Sequence, residues 1–230
     1  MKIHGLQKMT LLDFPGRVAC TVFLGGCDLR CPFCHNYDLA TGAAPALMED
    51  AELLAFLEKR RGLLDGVAIT GGEPCLRPDL PRLMRDIRAL GYAVKLDTNG
   101  MHPDRLAAIL EEGLADYVAM DIKNSPEKYA ATCGLSAMDL APVYRSVEML
   151  MEGRTDYEFR TTVVDQLHRA DDFEAIGAWI QGARRYALQM FADRDTVPFG
   201  NLSAPAREDM LKYREIASKY VNDAFIRGMD

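Results

Sequence analysis

The sequence predicts an α/β fold: an incomplete (β/α)6 TIM-like barrel of parallel strands, forming a single domain over residues 1–230. Six short apolar runs alternate with helical patterns, which is the signature of parallel βαβ units. A complete eight-unit barrel takes about 250 residues, so six units in this length leave the barrel unfinished. Residues able to carry chemistry recur just after the predicted strands, which in barrels is the active face. A flat doubly wound sheet shows the same alternation, and periodicity alone leaves it open.

The elements follow in order. Residues 18–24 read as the first strand, with Val18, Cys20, Val22 and Leu24 on one face. Residues 49–61 make a helix whose inner face carries Leu53, Leu54 and Leu57. Residues 67–70 form a short buried strand. A helix opening near Pro78 aligns Leu80, Leu83, Met84, Ile87 and Leu90, and Gly91 ends it because glycine accepts a positive φ. Residues 93–97 are the third strand, and 103–112 a helix with Leu106, Ile109 and Leu110 inside. Residues 117–122 give the fourth strand, followed by a polar stretch at 123–136 and a helix bearing Val143, Val147, Leu150 and Met151. A fifth strand at 157–164, a helix at 172–181 and a sixth strand at 186–191 complete the alternation. A closing helix from about Arg207 places Met210, Tyr213, Ala217, Tyr220 and Ala224 along one stripe.

Composition narrows the functional classes. The chain is 49% hydrophobic and 27% charged, an ordinary balance for a globular protein. A formal charge of −7 without any basic run removes the electrostatic footprint of nucleic-acid binding. No uncharged apolar run approaches the roughly 20 residues that span a bilayer. The opening residues show no signal-peptide pattern, so the cytoplasm is the expected compartment and no membrane partner is expected.

Three of the six cysteines, Cys27, Cys31 and Cys34, crowd into a loop directly after the first strand. A loop can curl three thiolates onto one soft metal centre, whereas a strand would splay them. Iron–sulfur clusters normally take four cysteines, so the missing fourth leaves an open coordination position. A Cys₃His zinc site using His35 is the competing metal reading, but His35 directly follows Cys34, unlike the separated ligands of zinc folds. Cys20, Cys75 and Cys133 are scattered and read as buried free thiols.

Other residues gather at the later strand ends. Gly71 and Gly72 let backbone approach a ligand, and Glu73 can accept from an amino group; alone they describe a tight turn. Asp97-Thr98-Asn99-Gly100 follows the third strand, and Asp121 and Lys123 close the fourth. Taken singly these are a turn and a surface ion pair. Together they offer carboxylates to a cation and an ammonium to a carboxylate. Arg160 within the fifth strand needs an anionic partner if it points inward, and alternation also permits it to point outward.

Cys-x₃-Cys-x₂-Cys, with Phe33 just before the last cysteine, resembles the signature of the radical S-adenosylmethionine superfamily. The resemblance implies a radical SAM core, one [4Fe–4S] cluster on Cys27, Cys31 and Cys34, and S-adenosylmethionine chelated at the open iron. It places Phe33 and His35 beside the adenine and Gly71, Gly72 and Glu73 at the amino group. Arg160 and Lys123 fall near the carboxylate or ribose, and Asp97 and Asp121 border a monovalent cation.

The opening Thr10-Leu11-Leu12-Asp13-Phe14-Pro15-Gly16, the Cys34-His35-Asn36 loop end, Asp97-Thr98-Asn99-Gly100 and Asp121-Ile122-Lys123 resemble the glycyl-radical-enzyme activating branch. Activating proteins of anaerobic ribonucleoside-triphosphate reductases are the closest resemblance, and those of pyruvate formate-lyase come next. The implied protein substrate is a glycyl radical enzyme, with flavodoxin or ferredoxin as electron donor. Asp13 reads equally as a residue near the barrel mouth or a turn former. A small-molecule radical enzyme such as a 7-carboxy-7-deazaguanine synthase is the alternative enzyme, and a metal-stabilised binding or electron-transfer protein the alternative outside enzymes.

Overall fold

A computed structural model describes residues 1–229. The first third contains β1 (Lys2–Ile3), β2 (Gly5–Thr10), β3 (Ala19–Leu24), α1 (Tyr37–Thr41), β4 (Met48–Glu49), α2 (Asp50–Glu58) and β5 (Gly66–Gly71). The middle contains α3 (Leu80–Ala89), β6 (Ala93–Thr98), α4 (Pro103–Glu111), β7 (Tyr117–Asp121), α5 (Tyr129–Thr132) and α6 (Ala141–Met151). The chain closes with β8 (Asp156–Val163), α7 (Ala170–Trp179), β9 (Tyr186–Met190), α8 (Arg207–Ala217) and β10 (Ala224–Arg227).

One eight-stranded sheet runs in the order β2-β3-β5-β6-β7-β8-β9-β10. All neighbours are parallel except β2 and β3, which are antiparallel. β1 and β4 form a separate antiparallel ribbon. The strand order never reverses, so there is no switch point of the doubly wound kind, and successive crossovers of one hand lay the helices on one face. The opposite face is concave: residues of β2, β3, β5, β6, β7, β8 and β9 line a single cavity. A flat sheet cannot bring seven strands to one cavity. β2 and β10 are not neighbours, so the barrel stays open between them.

Strand alternation sorts the residues between these faces. In β7, Val118 and Met120 join the large core under the helices, while Tyr117, Ala119 and Asp121 face inward. Phe14 closes the lower end, packed with Ala19, Ala119 and Tyr117 in a small apolar cluster of its own. Above it the interior turns polar. Buried Glu158 holds Arg227 through two 2.7 Å bonds and accepts from the Tyr117 hydroxyl at 3.0 Å. That pair ties the terminal strand β10 into the barrel.

The structure departs from the sequence expectation at both ends. Seven parallel strands replace the expected six, and an antiparallel edge strand precedes them. β2 carries exposed Gln7, Lys8 and Met9, so it lacks the apolar run that marks an inner strand. The closing helix stops at Ala217 rather than continuing to Ala224. Tyr220 does pack inward, its ring 2.4 Å from where a Cβ on Gly177 would lie, but it does so from a loop. Ala224 begins β10, which pairs with Tyr186 to Gln189. The polar stretch at 123–136 contains the short helix α5. Among the described residues no helix is long and apolar enough to cross a membrane.

Candidate active site

The cavity has a volume of about 470 Å³ and lies at the carboxyl ends of the strands. Every site residue named from the sequence lines it: Cys27, Cys31, Phe33, Cys34 and His35 from the loop after β3; Gly71 at the end of β5 with Gly72 and Glu73 after it; Asp97 from β6, Asp121 at the end of β7 with Lys123 just beyond it, and Arg160 from β8. Asp13 also reaches the wall, accepting from the Thr21 hydroxyl at 2.5 Å.

Backbone hydrogen bonds shape the cysteine loop. Gly26 N–H donates to Leu39 O at 2.8 Å and Cys27 N–H to Ala40 O at 3.1 Å, so α1 folds back onto the loop's start. Gly72 N–H donates to Leu24 O and Glu73 N–H to Gly26 O, which seats the glycine turn directly on the cysteine loop. A Cβ on Gly72 would lie 2.1 Å from Gly26 O, and Gly71 adopts φ +123 with its own missing Cβ 2.2 Å from Leu24 O. Only glycine allows this approach.

The thiol environments differ. Burial pushes Cys27 up to about 12 and also raises Cys34. A hydrogen bond from Cys133 lowers Cys31 to about 7, and the same bond raises Cys133. Cys20, Cys75 and Cys133 are free and buried, as expected from the sequence. Among the described residues no three His, Cys, Asp or Glu side chains converge on one metal ion. A four-iron cube instead takes each ligand at a separate corner, and three soft thiols beside a polar cavity suit it, leaving one corner for another ligand. His35 directs Nε2–H to Ala192 O at 2.7 Å and stacks on Phe191 at 5.7 Å, so its ring is a wall of the cavity. Phe191 lies just beyond β9 and had no motif to mark it.

Glu73 is almost fully buried; burial lifts it to about 7 despite three donors. Cys75 N–H and the Thr98 hydroxyl both reach Oε1 at 2.8 Å, and Asn99 N–H reaches Oε2 at 2.6 Å. The carboxylate therefore joins the ends of β5 and β6.

Parallel register sets Asp121 directly beside Arg160. The arginine points inward, its Nε 2.9 Å from Asp121 and one terminal nitrogen 3.2 Å from Asp97. Lys123 binds Asp121 at 2.9 Å, and Lys95 binds Asp97. Burial opposes ionisation of the aspartates, yet Arg160 with Lys95 holds Asp97 low, and Arg160 with Lys123 holds Asp121 at about 2. Three cations thus face two carboxylates. These residues do not fit the monovalent cation that the resemblance attached to Asp97 and Asp121, because Arg160 already bridges both.

The profile of the Radical SAM superfamily matches residues 21–174, and the chain belongs to that family. It is accordingly an enzyme that uses a [4Fe–4S] cluster and S-adenosylmethionine. A Methanocaldococcus jannaschii protein, provisionally named a glycyl-radical enzyme activating enzyme, is 28% identical over 99% of this chain and 96% of its own length. The pyruvate formate-lyase-activating enzyme of Clostridium pasteurianum is 34% identical across 54% of this chain and 52% of that protein. The fold is similar to Streptococcus suis SuiB bound to its precursor peptide, with a TM-score of 0.68 at 13% identity, over 90% of this chain and 48% of SuiB.

Proposed function

We propose that the protein abstracts hydrogen from a backbone glycine of a partner enzyme. The observation that supports this reading most is the end-to-end similarity to a protein named for that activity, joined to a cavity that carries all the cofactor-facing motifs. The favoured partner is anaerobic ribonucleoside-triphosphate reductase, on the residues around Asp13 and the Cys34-His35-Asn36 loop end. A pyruvate formate-lyase-type enzyme is the second reading, and the Clostridium pasteurianum relative favours it.

Cys27, Cys31 and Cys34 would hold the cluster. When bound, the cluster supplies one electron that cleaves S-adenosylmethionine to methionine and a 5′-deoxyadenosyl radical. The chain's own residues bind, orient and shield. Glu73 accepts from the amino group of S-adenosylmethionine, and Lys123 and Arg160 face its carboxylate and ribose. His35 stacked on Phe191 makes a flat apolar wall for the adenine. Phe14 seals the floor against water, while the gap between β2 and β10 leaves a flank through which a partner's loop can enter. Flavodoxin or ferredoxin is the proposed donor.

The test mixes reduced, reconstituted protein and S-adenosylmethionine with each candidate partner in turn. A glycyl radical doublet in the electron paramagnetic resonance (EPR) spectrum is expected with the anaerobic reductase. A doublet only with a pyruvate formate-lyase would reassign the partner, and none with any glycyl radical enzyme would sink the reading.

A further inference from the structure

Hydrogen bonds to the sulfurs around a cluster favour its reduced, more negative state and so raise its reduction potential. One such donor belongs to the cysteine loop itself: Leu29 N–H lies 3.4 Å from Cys27 Sγ. Another comes from outside it.

Asn99, at the end of β6, holds Nδ2 3.8 Å from Cys27 Sγ and 2.9 Å from Asp28 Oδ1. Its side-chain oxygen accepts from Met101 N–H at 2.9 Å, so the turn after β6 fixes which way the amide faces. The residue is buried, which keeps water from replacing it as the donor. Cys133 caps α5 and has no exposed surface. Its carbonyl accepts from Arg30 N–H at 2.9 Å, and a Cβ on the next residue, Gly134, would lie 2.2 Å from Arg30 O. The end of α5 is therefore seated on the cysteine loop.

We propose that Asn99 is a positioning residue that donates a hydrogen bond to Cys27 Sγ, one of the three ligand sulfurs of Cys27, Cys31 and Cys34, and thereby holds the bound cluster's potential up. The inference rests on those cysteines as cluster ligands, but it is independent of which partner the enzyme activates.

The experiment reconstitutes the full chain anaerobically and titrates the cluster against potential by EPR, without S-adenosylmethionine. Asn99→Ala is expected to take up the wild-type amount of iron and to titrate at lower potential. An unchanged potential in Asn99→Ala at full iron content overturns the proposal. Should Asn99→Ala not fold, Asn99→Asp keeps the acceptor for Met101 and removes the donor, and an unchanged potential there contradicts the role of Asn99. Wild-type protein that binds no iron would instead refute the ligand assignment, which separates the two failures.

Discussion

Glu73 is the residue whose chemistry is most exposed to pH. Its ordinary value of 4.5 rises to about 7 because the carboxyl is buried. The folded chain therefore binds this proton more tightly than the unfolded chain. Its contribution to stability is full below 4.5 and is lost as pH rises through about 7. Binding runs the other way, since only the carboxylate can accept from an amino group on both oxygens. Affinity for S-adenosylmethionine is expected to weaken about tenfold per pH unit below that point. Glu73→Gln should lose about 1.5–3 kcal/mol of binding and flatten the profile. Affinities measured at pH 6, 7 and 8 check this; a wild-type profile as flat as the variant's would remove Glu73 from the amino-group site. The cysteine spacing and strand-end motifs are legible because each is compressed into a few adjacent positions. The donor role of Asn99 is not, because its partner Cys27 lies 72 positions away and the local residues spell only a turn.

At the scale of elements, the glycine turn after β5 and the terminal strand carry the sharpest consequences. Gly72→Ala must push its methyl into Gly26 O, which separates the Glu73 turn from the cysteine loop. Iron uptake on reconstitution should fall severalfold while the helical circular dichroism is retained; normal uptake would show that the turn does not brace the loop. Removing Arg227 leaves the buried Glu158 carboxylate without its ion-pair partner and with only the Tyr117 hydroxyl bonded to it, so Arg227→Ala is expected to cost about 3–5 kcal/mol in urea unfolding. A cost under about 1 kcal/mol would mean β10 is held by its backbone pairing alone. Neither that ion pair nor β10 itself is readable in the sequence. Ala224–Arg227 is too short to show alternation, and the spacing of Ala217, Tyr220 and Ala224 imitates a helix until Tyr220 is found packing on Gly177 from a loop. β2 escapes notice because an edge strand exposes polar residues on the free side.

The whole molecule is an open barrel with a sealed floor, an ionic interior and a rim where the chemistry gathers. The alternation of strands and helices foretells that architecture. Its openness follows from the linear strand order, which places β2 and β10 at opposite edges. The interior charge balance needs tertiary structure. Only the register of β7 against β8 shows that Arg160 answers Asp121, and that it reaches Asp97 as well. The central claim is that this rim binds S-adenosylmethionine against a three-cysteine cluster and cleaves it reductively. One measurement tests it most directly: anaerobically reconstituted protein is reduced with dithionite, S-adenosylmethionine is added, and the EPR spectrum and 5′-deoxyadenosine are followed together. The account predicts a changed cluster spectrum on addition and 5′-deoxyadenosine formed, both lost when Cys27, Cys31 or Cys34 is replaced by alanine. An unaltered spectrum with no 5′-deoxyadenosine would contradict it.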